Sequence, residues 1–378
     1  MNYNYVLAID GGGTKTTVVC ADNTGTIVGR GLSGPTNFTS TNIGAASFNL
    51  REAIRQALEH LQPDATITHA AMGLAGMDSQ ADYELTFRTL KTVLDQFRVE
   101  NFILVNDTVI ALENGSDAPQ AIVLISGTGS NCYGKNNRGE TANAGGADFL
   151  LADQGSGYAI GRQVLREAVK SFDGRSEHSL LEQLVCQHFA IQSIADLKSK
   201  VYAPDLPKKE IADLSRLCTE ASAQNDAVAL RIIAKTIVDL EQHIVAVVKR
   251  LNLADEIFEC VLSGSVVELP EIKNPLIDRL QTQFPQMRVV FPEQPPVHGA
   301  IKLALQAQAA GATSSSWNCF RLYSTAITAY TAISIQVSSS DSLLGVWLLT
   351  SKCLARSTFS LTRMAMPSSP LAKILPLP

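Results

Sequence analysis

Residues 6–21 read VLAIDGGGTKTTVVCA, two apolar runs rich in β-branched residues on either side of three glycines. Such runs favour strands, and the glycines favour a tight turn between them. A second turn, Asp22 to Gly25, leads into Ile27 and Val28. The sequence therefore predicts a meander of three strands at the start of the chain.

The same order of strands and turns recurs in the middle of the chain. Ala121 to Ser126 is an apolar run of strand type, Gly127 to Ser130 is a turn, Asn131 to Gly134 is the next strand, and Asn136 to Gly139 is the second turn. A pattern of this kind is an internal repeat. It predicts two lobes of like topology, and a length of 378 residues also favours two separate cores.

Helical patterns occupy the intervals between the predicted strands. Apolar residues recur every three or four positions from Leu50 to Leu61, from Tyr83 to Phe97 and from Ile232 to Leu251. This is the spacing of a helix with one apolar face. Phe102 to Val105 is a continuous apolar run, which is typical of a strand buried on both faces. The predicted fold class is α/β.

Composition excludes several classes of partner. The formal net charge is −5, and no run or stripe of Lys and Arg is present that would attract a nucleic acid. The amino terminus lacks the pattern of a signal peptide, and no apolar stretch is long enough for a membrane span, so we expect a cytoplasmic protein. The seven cysteines have no CxxC spacing, which predicts reduced, mostly buried thiols rather than disulfides or a metal site.

We predict an N-terminal lobe at residues 1–115, a C-terminal lobe at 116–312 and an atypical tail at 313–378. The last helix of the C-terminal lobe, at about 296–310, is expected to pack back on the N-terminal lobe. The tail holds a single acidic residue, Asp341, together with both tryptophans and many Ser and Thr. We interpret it as out of frame or disordered, with a linker plus a small interaction module as the alternative.

Removing residues 313–378 should then leave both activity and melting temperature unchanged. Thermal unfolding and activity assays on the truncated chain test this expectation. A large loss of either quantity would contradict it.

The turn after the first strand holds Asp10, Gly11, Gly12, Gly13, Thr14 and Lys15. Glycines permit positive φ and a close approach of a bulky anion, and consecutive amides bind phosphate oxygens. A carboxylate at this position would repel phosphate unless a divalent cation lay between them, so Asp10 is predicted to organise hydrated Mg²⁺. The alternative is a plain glycine hairpin.

Two other phosphate-binding loops do not fit this turn. A Walker A loop needs Gly directly before Lys, whereas Thr14 precedes Lys15. A dinucleotide fingerprint opens a helix, whereas Lys15 to Cys20 has the pattern of a strand. The matched turn of the repeat, Gly127, Thr128 and Gly129 between Ser126 and Ser130, would be a simple turn if it stood alone. Its equivalent position favours phosphate binding.

Polar residues follow two further predicted strands. Asn106 and Asp107 come after Phe102 to Val105, at a strand end where ligands lie in open α/β sheets, and Asp107 could there accept a proton from an attacking hydroxyl. An aspartate that caps a helix is the alternative. Ser263, Gly264 and Ser265 follow another apolar strand and could touch an adenosine, although a structural turn is the simpler interpretation.

Asp153 lies in a glycine-rich segment, Ala144 to Gly161, that enters a helix near Tyr158. A carboxylate there could accept hydrogen bonds from paired hydroxyls of a sugar, or it could cap the helix. Asn37, in GPTNF, is a polar side chain in a segment rich in turn formers. Taken alone, it is interpreted as part of a structural turn.

These residues stand in ordered motifs: DGGGTKT, GPTN, VNDTVIAL, SGTGSNC, AGG followed by ADQGSGYAIG, LSGSV and VHGAIKLAL. The order resembles the N-acetylglucosamine kinase branch of the BadF/BadG/BcrA/BcrD ATPase family, within the actin, Hsp70 and hexokinase-like superfamily. The resemblance spans about residues 4–310. It implies duplicated ribonuclease H-like (actin-like ATPase) lobes with an interlobe cleft.

The resemblance also implies roles for individual residues. ATP would be bound by Asp10 to Lys15 and by Gly127, Thr128 and Gly129, with Gly264 and Ser265 beside the adenosine. An amino sugar would be bound by Asn37, Asp107, Ser130, Asn131, Gly145, Gly146 and Asp153. Asp107 would also be the base in transfer of the γ-phosphoryl group of MgATP to the sugar 6-hydroxyl. Relatives are often dimers, which implies a homodimer.

Three positions depart from the family pattern. Ala147 stands where the family usually has Trp, Ala152 where it has Gly, and Gln154 where it has an acidic residue. The sugar is therefore left open among N-acetylglucosamine, glucosamine and N-acetylmuramic acid. Two other classes compete: an iron–sulfur ATPase that activates 2-hydroxyacyl-CoA dehydratases, and a non-catalytic sugar sensor. Isolated cysteines argue against the first, and the lack of an apparent DNA-binding helix pair argues against the second.

Overall fold

A computed structural model describes residues 3–38, 41–62, 64–77, 79–99, 101–204 and 206–312. The tail predicted at 313–378, with Cys319 and Cys353, lies outside these residues. The boundary between two lobes at residues 115 and 116 stays a prediction.

The first half of the described chain forms a mixed sheet of five strands in the order β3-β2-β1-β4-β5. Its strands are β1 (Asn4–Gly11), β2 (Thr16–Asp22), β3 (Ile27–Ser33), β4 (Thr66–Leu74) and β5 (Asn101–Asn106). Its helices are α1 (Ile43–Leu58), α2 (Gln80–Gln96) and α3 (Asp107–Gly115). β1 pairs antiparallel with β2 and parallel with β4, which in turn pairs parallel with β5.

The second half forms a sheet in the order β10-β9-β6-β7-β8. Its strands are β6 (Ala121–Ser126), β7 (Ser130–Lys135), β8 (Thr141–Gly145), β9 (Phe258–Ser263) and β10 (Met287–Val290). Its helices up to β9 are α4 (Asp148–Leu151), α5 (Gly157–Phe172), α6 (Leu180–Phe189), α7 (Leu197–Val201), α8 (Lys208–Asp213), α9 (Ser215–Ala223) and α10 (Ala227–Leu251). α11 (Pro270–Gln283) precedes β10, and α12 (Val297–Ala309) follows it.

The two sheets have one topology. In each, the first strand is central, the meander extends to one side, and two parallel strands joined through helices extend to the other. This is the duplicated ribonuclease H-like arrangement of actin-like ATPases, so the predicted α/β fold class is confirmed.

Alternation along the central strands assigns each sheet face its own helices. On β1, Leu7 and Ile9 belong to the apolar cluster that contains residues of α1 and α2, whereas Val6 and Ala8 belong to the cluster that contains α12. On β6, the corresponding alternation divides residues between a large cluster with α5 and α10 and a smaller cluster with α3. Each sheet is therefore buried on both faces, which explains the continuous apolar runs.

Helices α3 and α12 connect the two sheets. α3 follows β5 of the first sheet but packs on the second, where Ala111 and Leu112 join Val123. α12 follows the second sheet and packs on the first, where Ala300 and Ala304 join Val6 and Ala8. The two helices also contact each other closely: a Cβ added at Gly299 of α12 would lie 1.9 Å from the carbonyl oxygen of Ile110 in α3.

We expect Gly299→Ala to lower the free energy of unfolding by about 3 kcal/mol, because its methyl group would overlap backbone atoms that cannot give way locally. Gln306→Ala, on an exposed position of the same helix, should change it by less than about 0.5 kcal/mol. Urea unfolding of the two variants provides the measurement. Equal stability of both would show that the contact between α3 and α12 relaxes freely.

Candidate active site

The carboxyl ends of the parallel strands bring predicted site residues to one edge of the first sheet. Asp10 on β1 is paired with Gly73 on β4, and Leu74, the next residue of β4, is paired with Asn106 on β5. Asp107 follows Asn106 directly. In open α/β sheets this edge is where ligands bind, so the structure places Asp10 and Asp107 on the expected side.

The first glycine turn is held by sterics and by a neighbouring loop. A Cβ at Gly11 would lie 2.1 Å from Thr36 Oγ1 and 2.5 Å from Leu74 Cδ2, so only glycine fits there. The carbonyl of Gly12 accepts hydrogen bonds from the amides of Thr36 (3.2 Å) and Asn37 (3.4 Å). The remaining residues of the turn, Gly13, Thr14 and Lys15, are exposed. They are available to a ligand at the tip of the turn.

The reason predicted for the first three glycines was wrong in part. Gly11, Gly12 and Gly13 do not adopt positive φ. The close approach of Thr36 and Leu74, rather than a left-handed backbone, requires glycine at position 11. Sequence reasoning also missed Thr16, which is fully buried and donates from Oγ1 to the carbonyl of Gly34 at 2.8 Å. In the sequence, Thr16 is only one threonine of the strand that follows the turn, and this pattern does not indicate the hydrogen bond.

Asp10 has an unusual carboxyl group. Burial raises its pKa from 3.8 to about 6, and the positive charge of Lys15 offsets part of this effect. A carboxylate that has lost much of its hydration gains more from a nearby cation than an exposed one does. The residue therefore fits the predicted position beside a hydrated divalent cation.

Asp107 is the first residue of α3, but it is not the cap of that helix. The cap is Asn106, whose Oδ1 accepts hydrogen bonds from the amide of Thr108 (3.1 Å) and from its hydroxyl (2.7 Å). The alternative interpretation of Asp107 as an N-cap is therefore wrong. The side chain of Asn37 lies against the loop that follows β4, because a Cβ at Gly76 would lie 2.5 Å from its Oδ1.

The second glycine turn lies at the start of α5. The amide of Gly127 donates to the carbonyl of Gly129 at 3.0 Å and closes the turn. The first amides of α5 in turn donate to this loop, from Gly157 to Gly127 at 2.8 Å and from Tyr158 to Thr128 at 3.2 Å. Among the described residues, apart from its two chain neighbours, no atom lies within 4 Å of a Cβ built at Gly127. Hydrogen bonds from the first amides of α5 therefore hold the turn in place, and the space beside Gly127 is open.

Asp153 is positioned against this turn by two buried serines. Ser126 Oγ donates to the carbonyl of Gly155, and Ser130 Oγ donates to that of Gln154, both at 2.8 Å. A Cβ at Gly129 would lie 2.9 Å from Asp153 Oδ2. The cap of α5 is a different residue, Ser156, whose Oγ accepts from the amide of Ala159 at 3.1 Å. The alternative interpretation of Asp153 as the helix cap is wrong.

Two left-handed glycines shape the neighbouring turn. Gly145 has φ +85° and Gly146 has φ +77°, conformations that favour glycine. A Cβ at Gly146 would lie 2.4 Å from Asn131 Nδ2, so the Asn131 side chain lies over this turn, and its Oδ1 is buried without a hydrogen-bond partner among the described residues. His243 of α10 contacts Gly145 from behind, and burial lowers the pKa of His243.

Gly264 and Ser265 join the same group through Ser126. Gly264 has φ +110°, and a Cβ on it would lie 2.4 Å from the carbonyl oxygen of Ser126. The amide of Val266 donates to that oxygen at 2.9 Å. The loop after β9 is thus tied to the end of β6, and Ser265 is exposed beside it.

The predicted residues thus form two groups, one at the edge of each sheet. The first contains the turn from Asp10 to Lys15 with Asn37 and Asp107. The second contains Gly127 to Asn131, Gly145, Gly146, Asp153, Gly264 and Ser265. Within the part of the chain that the structure describes, no helix is long and apolar enough to cross a membrane, and no group of His, Cys, Asp or Glu is arranged to hold a metal ion by direct ligation.

Duplicated sheets of this topology define the class, which is the actin-like ATPase fold. Residues 7–307 match the model of the BadF/BadG/BcrA/BcrD ATPase family, and the chain belongs to that family. The matched region begins in β1 and ends within α12, so it covers both sheets.

Three similar proteins narrow the comparison. An N-acetylmuramic acid/N-acetylglucosamine kinase of Clostridium acetobutylicum is 30% identical, over 79% of this chain and 98% of its own. An N-acetyl-D-glucosamine kinase of Dictyostelium discoideum is 28% identical, over 82% of this chain and 100% of its own. The solved structure of a ROK family glucokinase from Streptomyces griseus, 16% identical, matches with a TM-score of 0.53 over 80% of this chain and 99% of that one.

Proposed function

We propose that this protein is an ATP-dependent sugar kinase that phosphorylates the 6-hydroxyl of N-acetylglucosamine. The observation that carries the proposal is the common sheet edge of Asp10 and Asp107, beside a glycine turn with an exposed tip. Kinases of amino sugars among the similar proteins support the substrate class. Glucosamine and N-acetylmuramic acid are the alternative substrates.

The base in this reaction is Asp107. Asp107 follows β5 directly, and it does not cap α3, because the side chain of Asn106 does so. Asp107 accepts the proton of the sugar 6-hydroxyl as that oxygen bonds to the γ-phosphorus and the bond from this phosphorus to the bridging oxygen breaks, which releases ADP. Transfer of a phosphoryl group depends mainly on positioning and on neutralisation of charge, so one well-placed carboxylate suffices as the base.

The sugar is held by side chains from both groups. Asn37 and Asp107 contribute from the first sheet, and Ser130, Asn131, Gly145, Gly146 and Asp153 contribute from the second. The buried Oδ1 of Asn131 lacks a partner among the described residues, which is costly unless a bound group or a water donates to it. A sugar hydroxyl or amide is a suitable donor.

The nucleotide is held by the two glycine turns, with Gly264 and Ser265 near the adenosine. Asp10 would hold Mg²⁺ through water, and this ion would supply neutralisation of the phosphate charge. The open space around Gly127 is consistent with a bulky anion at the second turn. Movement of the lobes at residues 1–115 and 116–312 would then bring the two groups of residues together. We expect the enzyme to be a homodimer in the cytoplasm.

The three departures from the family pattern, Ala147, Ala152 and Gln154, are sequence neighbours of the residues proposed to bind the sugar. Ala147 precedes a residue with φ +66°, Asp148, which pairs with Lys208 at 3.0 Å. The main-chain carbonyl of Gln154, not its side chain, accepts the Ser130 hydrogen bond, so Gln can replace an acidic residue without loss of that contact. The small side chain of Ala147 would widen the subsite, which would allow larger amino sugars to bind as substrates.

The experiment that tests the proposal is a coupled assay of ADP release with a panel of sugars. N-acetylglucosamine, glucosamine, N-acetylmuramic acid and glucose are compared at equal concentrations, and the product is identified by mass spectrometry. The proposal requires sugar-dependent ADP release, highest with N-acetylglucosamine. Binding of sugar without ADP release would favour a sensor, and release independent of sugar would reject the kinase.

We expect turnover to fall as the pH drops below about 6, because Asp10 is then protonated and no longer holds the hydrated cation. Burial raises the pKa of Asp10 from 3.8 to about 6, so the carboxylate is charged at pH 7 and neutral at pH 5. Raising the Mg²⁺ concentration should move this limb of the pH profile to lower pH, since a cation favours the charged form.

Lys15 provides the control for this pH dependence, because its charge lowers the pKa of Asp10. In Lys15→Gln the acid limb, measured at saturating ATP, should move to higher pH. A profile that is flat from pH 7 to pH 5, or one insensitive to Mg²⁺, would contradict the role of Asp10.

A further inference from the structure

A cavity lies apart from the two groups of site residues, between α5 and α10. It has a volume of about 860 Å³, and it begins at Gln154 and Gly155 and extends along the facing sides of the two helices. Nothing in the proposed kinase reaction uses it. We call it the α5–α10 groove.

The groove is lined by an excess of positive charge. Five cations line it, from Arg162, Lys170, Arg175, Arg231 and Lys235. Four of them form ion pairs, Lys170 with Glu167, Lys235 with Asp239, Arg231 with Glu177 and Arg175 with Asp173, so the charge of Arg162 is left in excess. The whole chain carries a net charge of −5, so this surface has the opposite sign to the protein. A local positive field of this kind raises the concentration of anions at the surface.

The ion pairs at the rim of the groove can exchange partners at low cost. Arg231 pairs with Glu177 and Arg175 pairs with Asp173, and more than half of each arginine side chain is exposed, at 59% and 63%. Exposed pairs contribute little to stability, so an anion in the groove can compete for these side chains.

Arg162 points to the kind of anion. Its Nε is buried and has no hydrogen-bond partner among the described residues. A buried donor without a partner is costly, and a guanidinium group matches the geometry of phosphate oxygens. A phosphate group has three oxygens that can accept hydrogen bonds from the surrounding donors at the same time.

The remaining lining favours an organic phosphate over a bare ion. Ile160, Val228 and Ile232 form an apolar floor under the charged groups, and each is more than nine-tenths buried. The volume also lies in the range of small-molecule sites, roughly 300 to 1,000 Å³. A scaffold with an apolar face and one phosphate, such as a sugar ring, suits both features.

The groove is separated from the sugar subsite by the loop that carries Asp153. On one side the loop is tied to Ser126 and Ser130 through the carbonyls of Gly155 and Gln154. On the other side Gly155 contacts α10, since a Cβ on it would lie 2.5 Å from Leu240 Cδ2. A ligand in the groove therefore touches the loop from behind and can shift Asp153 without entering the subsite.

We propose that the α5–α10 groove is an effector site for a small organic phosphate of the sugar monophosphate class. The ligand binds through Arg162 and Lys235 and acts on the sugar subsite through residues 154 and 155. Binding to the groove does not depend on the kinase activity proposed above, so the two proposals fail separately.

Calorimetric titration of the full chain with glucose 6-phosphate tests the site. The double variant Arg162→Gln with Lys235→Gln should weaken binding at least about tenfold, through loss of two charged hydrogen-bond donors. The double variant Arg166→Gln with Lys249→Gln, exposed cations of the same helices outside the groove, should bind as the unmodified chain does. Lys235→Gln alone, at a side chain that is 63% exposed, serves if the first pair does not fold.

Two further arms identify the ligand and the effect. Inorganic phosphate should bind at least about tenfold more weakly than glucose 6-phosphate, and equal binding would overturn the organic scaffold. Where sugar-dependent turnover exists, the effect of glucose 6-phosphate should persist at saturating sugar and disappear in the groove variant. Absence of binding, or binding unaffected by loss of Arg162 and Lys235, would overturn the proposal.

Discussion

Asp107→Asn is expected to lower kcat by about two to four orders of magnitude while sugar and ATP still bind. The substitution keeps the size and shape of the side chain, but it replaces one acceptor oxygen with an NH2 donor and removes the ability to accept a proton at neutral pH. It should also leave the fold intact, because Asn106 rather than Asp107 caps α3. Loss of a negative charge from the first turn of α3 should cost about 0.3 to 1 kcal/mol of helix stability.

The measurement separates catalysis from binding. Steady-state kinetics gives kcat and KM for both substrates, and calorimetry gives the affinity for the sugar without turnover. Asp255→Asn, at an exposed loop position, is the matched control and should behave as the unmodified chain. Near-normal turnover of Asp107→Asn would remove Asp107 from its role as base. A loss confined to sugar affinity would make it a ligand only.

Regular patterns in the sequence predicted the fold well where burial decides the structure. The strand Ala121–Ser126 and the helix that ends at Leu251 have the predicted bounds at those ends. β3 was predicted only at Ile27 and Val28, yet it extends to Ser33 through two glycines. Gly29 and Gly31 lie against the backbone of α1, where a Cβ would approach the carbonyls of Ala57 and Ala53 to 2.0 and 1.9 Å. Tertiary packing made this strand, and strand propensity could not reveal it.

The candidate site also divides into features that the sequence predicted and features that only the structure revealed. Motif order and strand ends located Asp10, Asp107 and the two turns, because these features are local in sequence. The supports of the site are contacts over long sequence separation, such as Ser126 with Gly155 and His243 with Gly145. A serine within a strand or a histidine within a helix carries no local sign of such a partner, so the structure was required to find them.

The two glycine turns also allow a matched test of what glycine does in each. Gly11 and Gly127 occupy equivalent places in DGGGT and SGTGS. A Cβ at Gly11 would collide with Thr36 and Leu74, whereas a Cβ at Gly127 would meet no atom of the described residues within 4 Å beyond its chain neighbours. Neither residue has positive φ, so alanine is compatible with the backbone at both. Only the steric surroundings differ.

We therefore expect Gly127→Ala to keep or slightly raise the melting temperature and to lower kcat/KM for ATP by about a hundredfold. Alanine restricts the unfolded chain more than glycine does, which favours the folded state by about 0.4 to 1 kcal/mol when the site has room. The same methyl group occupies the space that a phosphate needs at the turn, and a displacement of about 1 Å at a reacting group can cost a hundredfold in rate. Gly11→Ala should instead lower the melting temperature. An unchanged kcat/KM for ATP in Gly127→Ala would contradict phosphate binding at the second turn. The added methyl group would then displace no phosphate.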